Sequence, residues 1–331
     1  MGQIAVTRRT QLPLTDCEEL NDLSRQVGWD TQYTQLDAGP LEGRFTMAMS
    51  QTLRQGHPTT NKSLIIRGTP PPDSLAVILP LGPGSRGIFQ GEALGEGQVA
   101  IMCPNSEGYY RTPPDNSFLS VCIALSYLYP ALEAASEHPV EACLGSTRII
   151  STTPTTARHL RALLQRAATV GQASGPIELQ ELESAFAGAI ARHLVSPVEK
   201  TPRRISQRRQ VFLLAREYIE ANMAAPLRLE ILAGEVGVSL RTLRYSFQQV
   251  LGINPWQYIK LRRLTATHMA LQRAHPDSAT VTEIAMRCGF SHMSYFARDY
   301  RKQFDEFPAQ TLALPPETTC TIRATTTPDR I

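Results

Sequence analysis

The chain is expected to be a two-domain α+β protein. An N-terminal antiparallel β half-barrel with helices is followed by an all-α C-terminal domain holding two helix-turn-helix motifs in tandem. Three observations predict this. Short apolar runs alternate with turn residues up to about residue 125, helical periodicity takes over beyond it, and residues 229–247 and 281–300 repeat one pattern. The 331 residues suffice for two cores. The expected boundaries are 1–195 for the first domain, 196–205 for a linker, 206–314 for the helical domain and 315–331 for a Thr-rich, disordered tail.

In the first domain, residues 43–49 and 51–55 read as a strand pair or one bent strand. Further strands are expected at 63–67, 76–80, 87–90, 98–103, 109–111 and 118–124. Turn clusters separate them, such as Gly68-Thr69-Pro70-Pro71-Pro72-Asp73 and Gly82-Pro83-Gly84-Ser85. The longest apolar stretch, 118–135, is broken by Ser120, Ser126, Pro130 and Glu133. It reads as a strand followed by a helix and not as a membrane span. Thr153-Pro154-Thr155 then opens a helix that should stop near Gly171, and a second helix should run over 177–194. Leu160, Leu163, Leu164 and Val170 line the first, and Leu179, Leu182, Phe186 and Ile190 the second. Part of each stripe should pack on the barrel, and part could join two copies in a homodimer.

In the second domain each repeat has a short apolar helix with Ala at its centre, then Gly, an apolar residue and Ser, then a second helix. Ala233 and Ala285 sit where two helices cross closely. Gly237 and Gly289 supply the positive φ that a tight inter-helix turn needs. Ser239 and Ser291 are expected to cap the helix that follows. Leu243 and Phe247, like Phe296 and Tyr300, lie four apart and should turn inward. Charge follows the same division. Residues 203–312 carry 16 Lys/Arg against 9 Asp/Glu, and residues 1–202 carry 15 against 19. A basic module on a mildly acidic one is the footprint of a polyanion-binding domain joined to something else.

From about Ser206 to Leu312 the chain resembles the DNA-binding domain of AraC/XylS-type transcription regulators. Gly252-Ile253-Asn254-Pro255 with Tyr258 is similar to that family's entry to a linking helix, and Arg263-Leu264-x-Ala266 to its continuation. Ile284-Ala285-x-x-x-Gly289-Phe290, Tyr295-Phe296-x-Arg298-x-Tyr300, Phe304 and Pro308 are similar to its closing signature. Asp305 stands where most members have Gly, so an altered helix end is expected there. In the first domain Trp29-x-x-x-Tyr33-x-x-Leu36-x-x-Gly39, with Gly43-x-Phe45, resembles the ethanolamine-operon type of regulator in that family. The resemblance implies a cupin-like sensor domain, a small-molecule effector, double-stranded DNA and RNA polymerase as partners, and activation as output in a bacterial cytoplasm.

The recognition helices are expected at 239–250 and 292–304, joined by a long helix at 255–274. Arg241, Arg244, Tyr245, Ser294 and Arg298 are the candidates for base contact, because Arg can pair bidentately with guanine and Ser or Tyr can bond base edges. Ser239, Lys260, Arg262, Arg263 and His292 are the candidates for phosphate contact. Arg44, Arg67 and Arg111, on expected strands, are the groups able to clamp a small anionic effector.

Other classes find less support. A cupin metalloenzyme needs several converging His and carboxylate ligands, and His57 is the only His of the expected barrel. No Gly-x-Ser-x-Gly or nucleophilic Cys motif is present, so no enzyme, metal or cofactor is expected. Residues 1–15 show no charged-then-apolar leader, so the six cysteines are expected to be reduced thiols. The alternative is a redox-sensing regulator using Cys17, Cys103, Cys122 or Cys143, of which Cys143, near Gly145, is the one expected to be exposed.

Overall fold

Asp16 starts the first helix of the chain. Its carboxylate accepts from Glu18 N at 2.7 Å and Glu19 N at 2.9 Å, capping α1 (Cys17–Gln26) between β1 (Arg8–Leu14) and β2 (Asp30–Gln35). The computed structural model describes residues 8–81, 86–173, 176–195 and 207–313; the turn expected at 82–85, the linker and the tail lie outside them. The remaining strands of the first domain are β3 (Gly43–Met49), β4 (Leu53–Thr60), β5 (Leu64–Thr69), β6 (Ser74–Pro80), β7 (Gly87–Phe89), β8 (Glu92–Leu94), β9 (Gln98–Met102), β10 (Gly108–Arg111) and β11 (Asn116–Ala124). Then follow α2 (Leu125–Ala135), α3 (Val140–Leu144), β12 (Arg148–Ser151), α4 (Pro154–Ala173) and α5 (Pro176–Val195).

The strands form two sheets, in the orders β1-β3-β4-β11-β6-β9-β12 and β2-β5-β10-β7-β8, with every described pairing antiparallel. Phe45, Met47, Ile66, Ile78, Phe89 and Phe118 fill the space between the sheets. Strand β6, Ser-Leu-Ala-Val-Ile-Leu-Pro, is buried at every residue, because α2, α4 and α5 cover the outer face of the larger sheet. Leu160, Leu163, Leu164, Leu179, Leu182, Phe186 and Ile190 all join that cluster. The share of each stripe expected to pack on the sheets thus includes these seven residues. Ile177 is the large apolar residue of α5 left exposed. No helix among the described residues is long and apolar enough to cross a membrane.

The second domain consists of α6 (Gln207–Ala221), α7 (Leu229–Glu235), α8 (Leu240–Leu251), α9 (Pro255–Arg273), α10 (Val281–Arg287), α11 (Met293–Phe304) and α12 (Pro308–Ala313). Asn254 caps α9 through Gln257 N at 2.9 Å, with Pro255 in the first turn. Two cores flank α9. Phe212, Leu243, Phe247 and Tyr258 anchor one, while Ile284, Phe296 and Tyr300 anchor the other. The first core does not end at the domain boundary, since Ile65 of β5 and Tyr109 of β10 belong to it. The Tyr109 ring meets Phe212 edge-on at 5.1 Å. The smaller sheet therefore faces the space between the sheets on one side and the helical domain on the other.

Candidate nucleic-acid interface

The two motifs share one backbone geometry. In the first turn Gly237 has φ +72°, and Val238 N donates to Ala233 O at 2.9 Å. In the second Gly289 has φ +91°, and Phe290 N donates to Ala285 O at 3.0 Å. At Gly289 space is a second constraint, because a Cβ would lie 2.3 Å from Met223 O. Ala233 and Ala285 are buried at the crossings, and Leu243, Phe247, Phe296 and Tyr300 point inward as their spacing predicts.

Arg241, Arg244, Tyr245, Ser294 and Arg298 lie exposed on α8 and α11. The Arg241 guanidinium stands 5.4 Å over the Tyr245 ring, and that of Arg298 5.1 Å over Tyr295. Each second helix thus presents an Arg–Tyr pair to solvent, its aromatic face holding the guanidinium in place. Residues that sequence reasoning left aside join this surface. Tyr295 is 62% exposed, Arg208 stands 5.9 Å over Tyr245, and Arg301 stands 4.5 Å over Phe307 beside Lys302. The Arg203-Arg204 pair and the Arg208-Arg209 pair at the start of α6 were the available signal for Arg208.

The phosphate candidates divide. Ser239 accepts from Thr242 N at 3.1 Å and caps α8. His292, and not the expected Ser291, is the N-cap residue of α11, and its side chain makes no capping bond. Lys260 sits 3.5 Å from Asp299 and keeps part of its surface. Arg262 and Arg263 must be withdrawn as phosphate contacts, being 5% and 7% exposed. Arg263 donates to Met223 O at 3.0 Å and Ala225 O at 2.6 Å, beneath Gly289. Arg262 donates to both carboxylate oxygens of Glu220 at 2.9 Å and to Thr34 Oγ1 of β2 at 3.2 Å. Burial alone would raise the Glu220 carboxyl, but the bonds and charge of Arg262 outweigh it and hold the group below the usual carboxylate range. The reason for both corrections is that this stretch of α9 is enclosed between α6, the second motif and the N-terminal domain, so Arg262 and Arg263 meet protein and not solvent.

Further bonds join the domains. Gln303, near the end of α11, donates to Gln35 O at 3.2 Å and Asp37 O at 3.1 Å and accepts from Gly39 N at 2.9 Å. Gln272 donates to Asp16 Oδ2 at 2.8 Å, and Arg273 pairs with Glu18. At the end of α8, Leu251 O accepts from Arg111 at 3.2 Å. Arg216 of α6 and Arg67 of β5 share Glu107. These contacts correct the effector candidates. Arg67 and Arg111 face the helical domain, and Arg44 is exposed on β3. None of the three lines the cavity between the sheets, whose walls include Trp29, Tyr33, Ile66, Phe89, Met102 and Tyr110. Strand alternation explains this, because Arg67 and Arg111 adjoin the inward Ile66 and Tyr110 and so point outward.

Among the described residues the cysteines form no disulfide. Burial pushes the thiols of Cys17 and Cys122 up to about 12 and that of Cys103 up as well, which disfavours the reactive thiolate. Cys143, expected at the surface, is 7% exposed, because α3 turns it into the cluster under α2. No group of three or more metal-ligating side chains occurs among the described residues.

These features define a tandem helix-turn-helix protein carrying a two-sheet N-terminal domain. Residues 232–313 match the family model described as "Helix-turn-helix domain". The chain is 41% identical over 103 residues to the probable thc operon regulatory protein of Rhodococcus erythropolis, covering 31% of each chain. It is 35% identical over 98 residues to the XylDLEGF operon transcriptional activator 2 of Pseudomonas putida, covering 30% of this chain and 62% of that one. A solved structure, a probable AraC family transcriptional regulator from Rhodopseudomonas palustris, is 38% identical over 31% of this chain and 94% of its own, with a TM-score of 0.29. The matches thus span less than two thirds of these curated relatives. Over its C-terminal domain the chain is thus similar to AraC/XylS-type transcription regulators.

Proposed function

We propose that this protein binds double-stranded DNA through the outward faces of α8 and α11. It regulates transcription under the control of a small molecule held by the N-terminal domain, which we read as a cupin-like effector domain. The observation that carries the reading is the Arg–Tyr pair repeated on the second helix of each motif, Arg241 with Tyr245 and Arg298 with Tyr295. Arg241, Arg244, Tyr245, Ser294 and Arg298 then read base edges, with each Arg suited to guanine O6 and N7. Ser239, Lys260 and His292 serve the phosphates, with Arg208, Arg301 and Lys302 beside them. The two helices enter successive major grooves, about 34 Å apart on one face of the duplex. Activation is the output we propose, in line with a relative named a transcriptional activator, with RNA polymerase as the partner it would act on.

The test is selection of bound duplexes from a random pool, followed by affinity measurements across salt concentrations. A site of about 17–20 base pairs bound by one chain is expected, with affinity falling steeply as salt rises. Affinity that stays flat between low and physiological salt would overturn the reading.

A further inference from the structure

The cavity between the sheets has a chemistry of its own. Its lining contains no charged side chain. Aromatic and aliphatic groups form most of it, with Ser24 and Tyr33 bonded to each other at 3.0 Å. Trp29 lines it while only 5% exposed, and among the described residues its indole Nε1–H has no acceptor. The Thr31 hydroxyl, on the same wall, is also without a partner. A buried donor without an acceptor is costly, and buried polar groups nearly always find one. An anion here would be stripped of water and meet no counter-charge, which costs several kcal/mol.

We propose that this cavity is the effector site and that it takes a small, uncharged, largely apolar molecule carrying one hydrogen-bond acceptor, which Trp29 Nε1–H satisfies. The inference rests on the reading of the first domain as the effector domain and gives that domain's ligand its class. The cavity has about 30 Å³ of room, enough for a water molecule and too little for a ligand of several heavy atoms. Ligand entry must therefore move a wall. Met102, whose methyl group crowds Gly108, is the adaptable side chain of the lining. The remaining yield comes from β2, β5 and β10, which supply Tyr33, Ile66 and Tyr110 to the cavity. The next residues of those same strands, Thr34, Ile65 and Tyr109, touch the helical domain. A ligand that pushes the first set outward presses the second set against α6 and α9.

The test uses the full chain with Trp256→Phe. The protein has two tryptophans and Trp256 is 52% exposed, so fluorescence then reports Trp29 alone. Three probes share a six-membered ring: cyclohexanone, methylcyclohexane and cyclohexanecarboxylate. Cyclohexanone should change Trp29 emission saturably and raise the melting temperature. Methylcyclohexane, lacking the acceptor, should bind about three- to tenfold more weakly. Cyclohexanecarboxylate at pH 7 should bind about a hundredfold more weakly, since only its scarce neutral form enters. Trp29→Phe should abolish the preference for cyclohexanone over methylcyclohexane, read by melting temperature. Gly68→Ala places a methyl group in ordinary contact with Thr31 and Trp29, so the fold is kept while the cavity shrinks and cyclohexanone binding weakens.

Equal or tighter binding of the carboxylate would overturn the ligand class and leave the effector domain standing. No response to any probe, or unchanged binding in Gly68→Ala, would overturn the site itself. DNA affinity of the same protein, measured in parallel, separates either failure from a failure of the DNA-binding reading.

Discussion

Arg262 and Thr34 meet 3.2 Å apart although 228 residues separate them in sequence. The arginine that the sequence offers to a phosphate instead fastens the helix linking the two motifs to the smaller sheet. Its charge is met by Glu220, so the fastening point is a buried, fully engaged guanidinium.

Arg262→Ala is expected to destabilise the protein by about 3–5 kcal/mol, because it strands the Glu220 carboxylate without its partner. Chemical denaturation measures this. A loss below about 1 kcal/mol would mean that the pair contributes little to holding α9 on α6.

Arg241→Ala should cost about 1–3 kcal/mol on the selected DNA site and little on random DNA. Lys260→Ala should weaken both by similar, smaller amounts, its charge being shared with Asp299. Fluorescence anisotropy on the two duplexes distinguishes them, and an exchange of the two phenotypes would mean that the helix faces are reversed.

Asp305 ends α11 in the left-handed region, with φ +61°, and its N–H donates to Arg301 O at 2.8 Å. The helix end expected to be altered by the absence of Gly keeps the backbone that Gly would adopt. Asp305→Gly should therefore stabilise the protein, by about 0.5–1 kcal/mol, through relief of that conformation. A lower melting temperature in the variant would show that the Asp305 side chain outweighs its backbone.

His268 bonds Tyr300 OH at 2.7 Å and stacks on Phe304. Burial pushes its pKa below 6.5, against the opposing pull of Asp16 and Glu306. The unfolded chain then binds the proton more readily than the folded one. Stability is complete above pH 6.5 and declines as the pH falls from there through the folded-state pKa. Melting temperatures from pH 7.5 to pH 5 should fall, and the fall should shrink in His268→Gln. An identical slope in the variant would assign the acid sensitivity to other groups.

Much of this was legible in the sequence, for identifiable reasons. Gly237, Gly289 and the inward pairs Leu243–Phe247 and Phe296–Tyr300 are local devices, fixed by turn geometry and helical spacing. Strands β5, β6, β9, β10 and β11 announce themselves by apolar runs between turns. Strand β2 does not, because Asp-Thr-Gln-Tyr-Thr-Gln has one side for the cavity and another for α9 and offers no apolar alternation. The basic residues failed for the same reason. Whether Arg67, Arg111, Arg262 or Arg263 meets solvent, ligand or a carboxylate depends on what packs over it, and the partners Glu107, Leu251, Glu220 and Met223 are distant in sequence or on another element.

The ends of α8 and α11 rest on the smaller sheet through Leu251 and Gln303, while α9 joins the two motifs directly. Three rigid members therefore close a triangle. A pair of reading heads joined by a single strut could swing about it; a braced pair cannot change its angle unless one side lengthens or lets go. On the function proposed above, the spacing of the two reading helices is thus braced by a β-sheet of the other domain, and the set of operators tolerated should widen or narrow with the shape of that sheet.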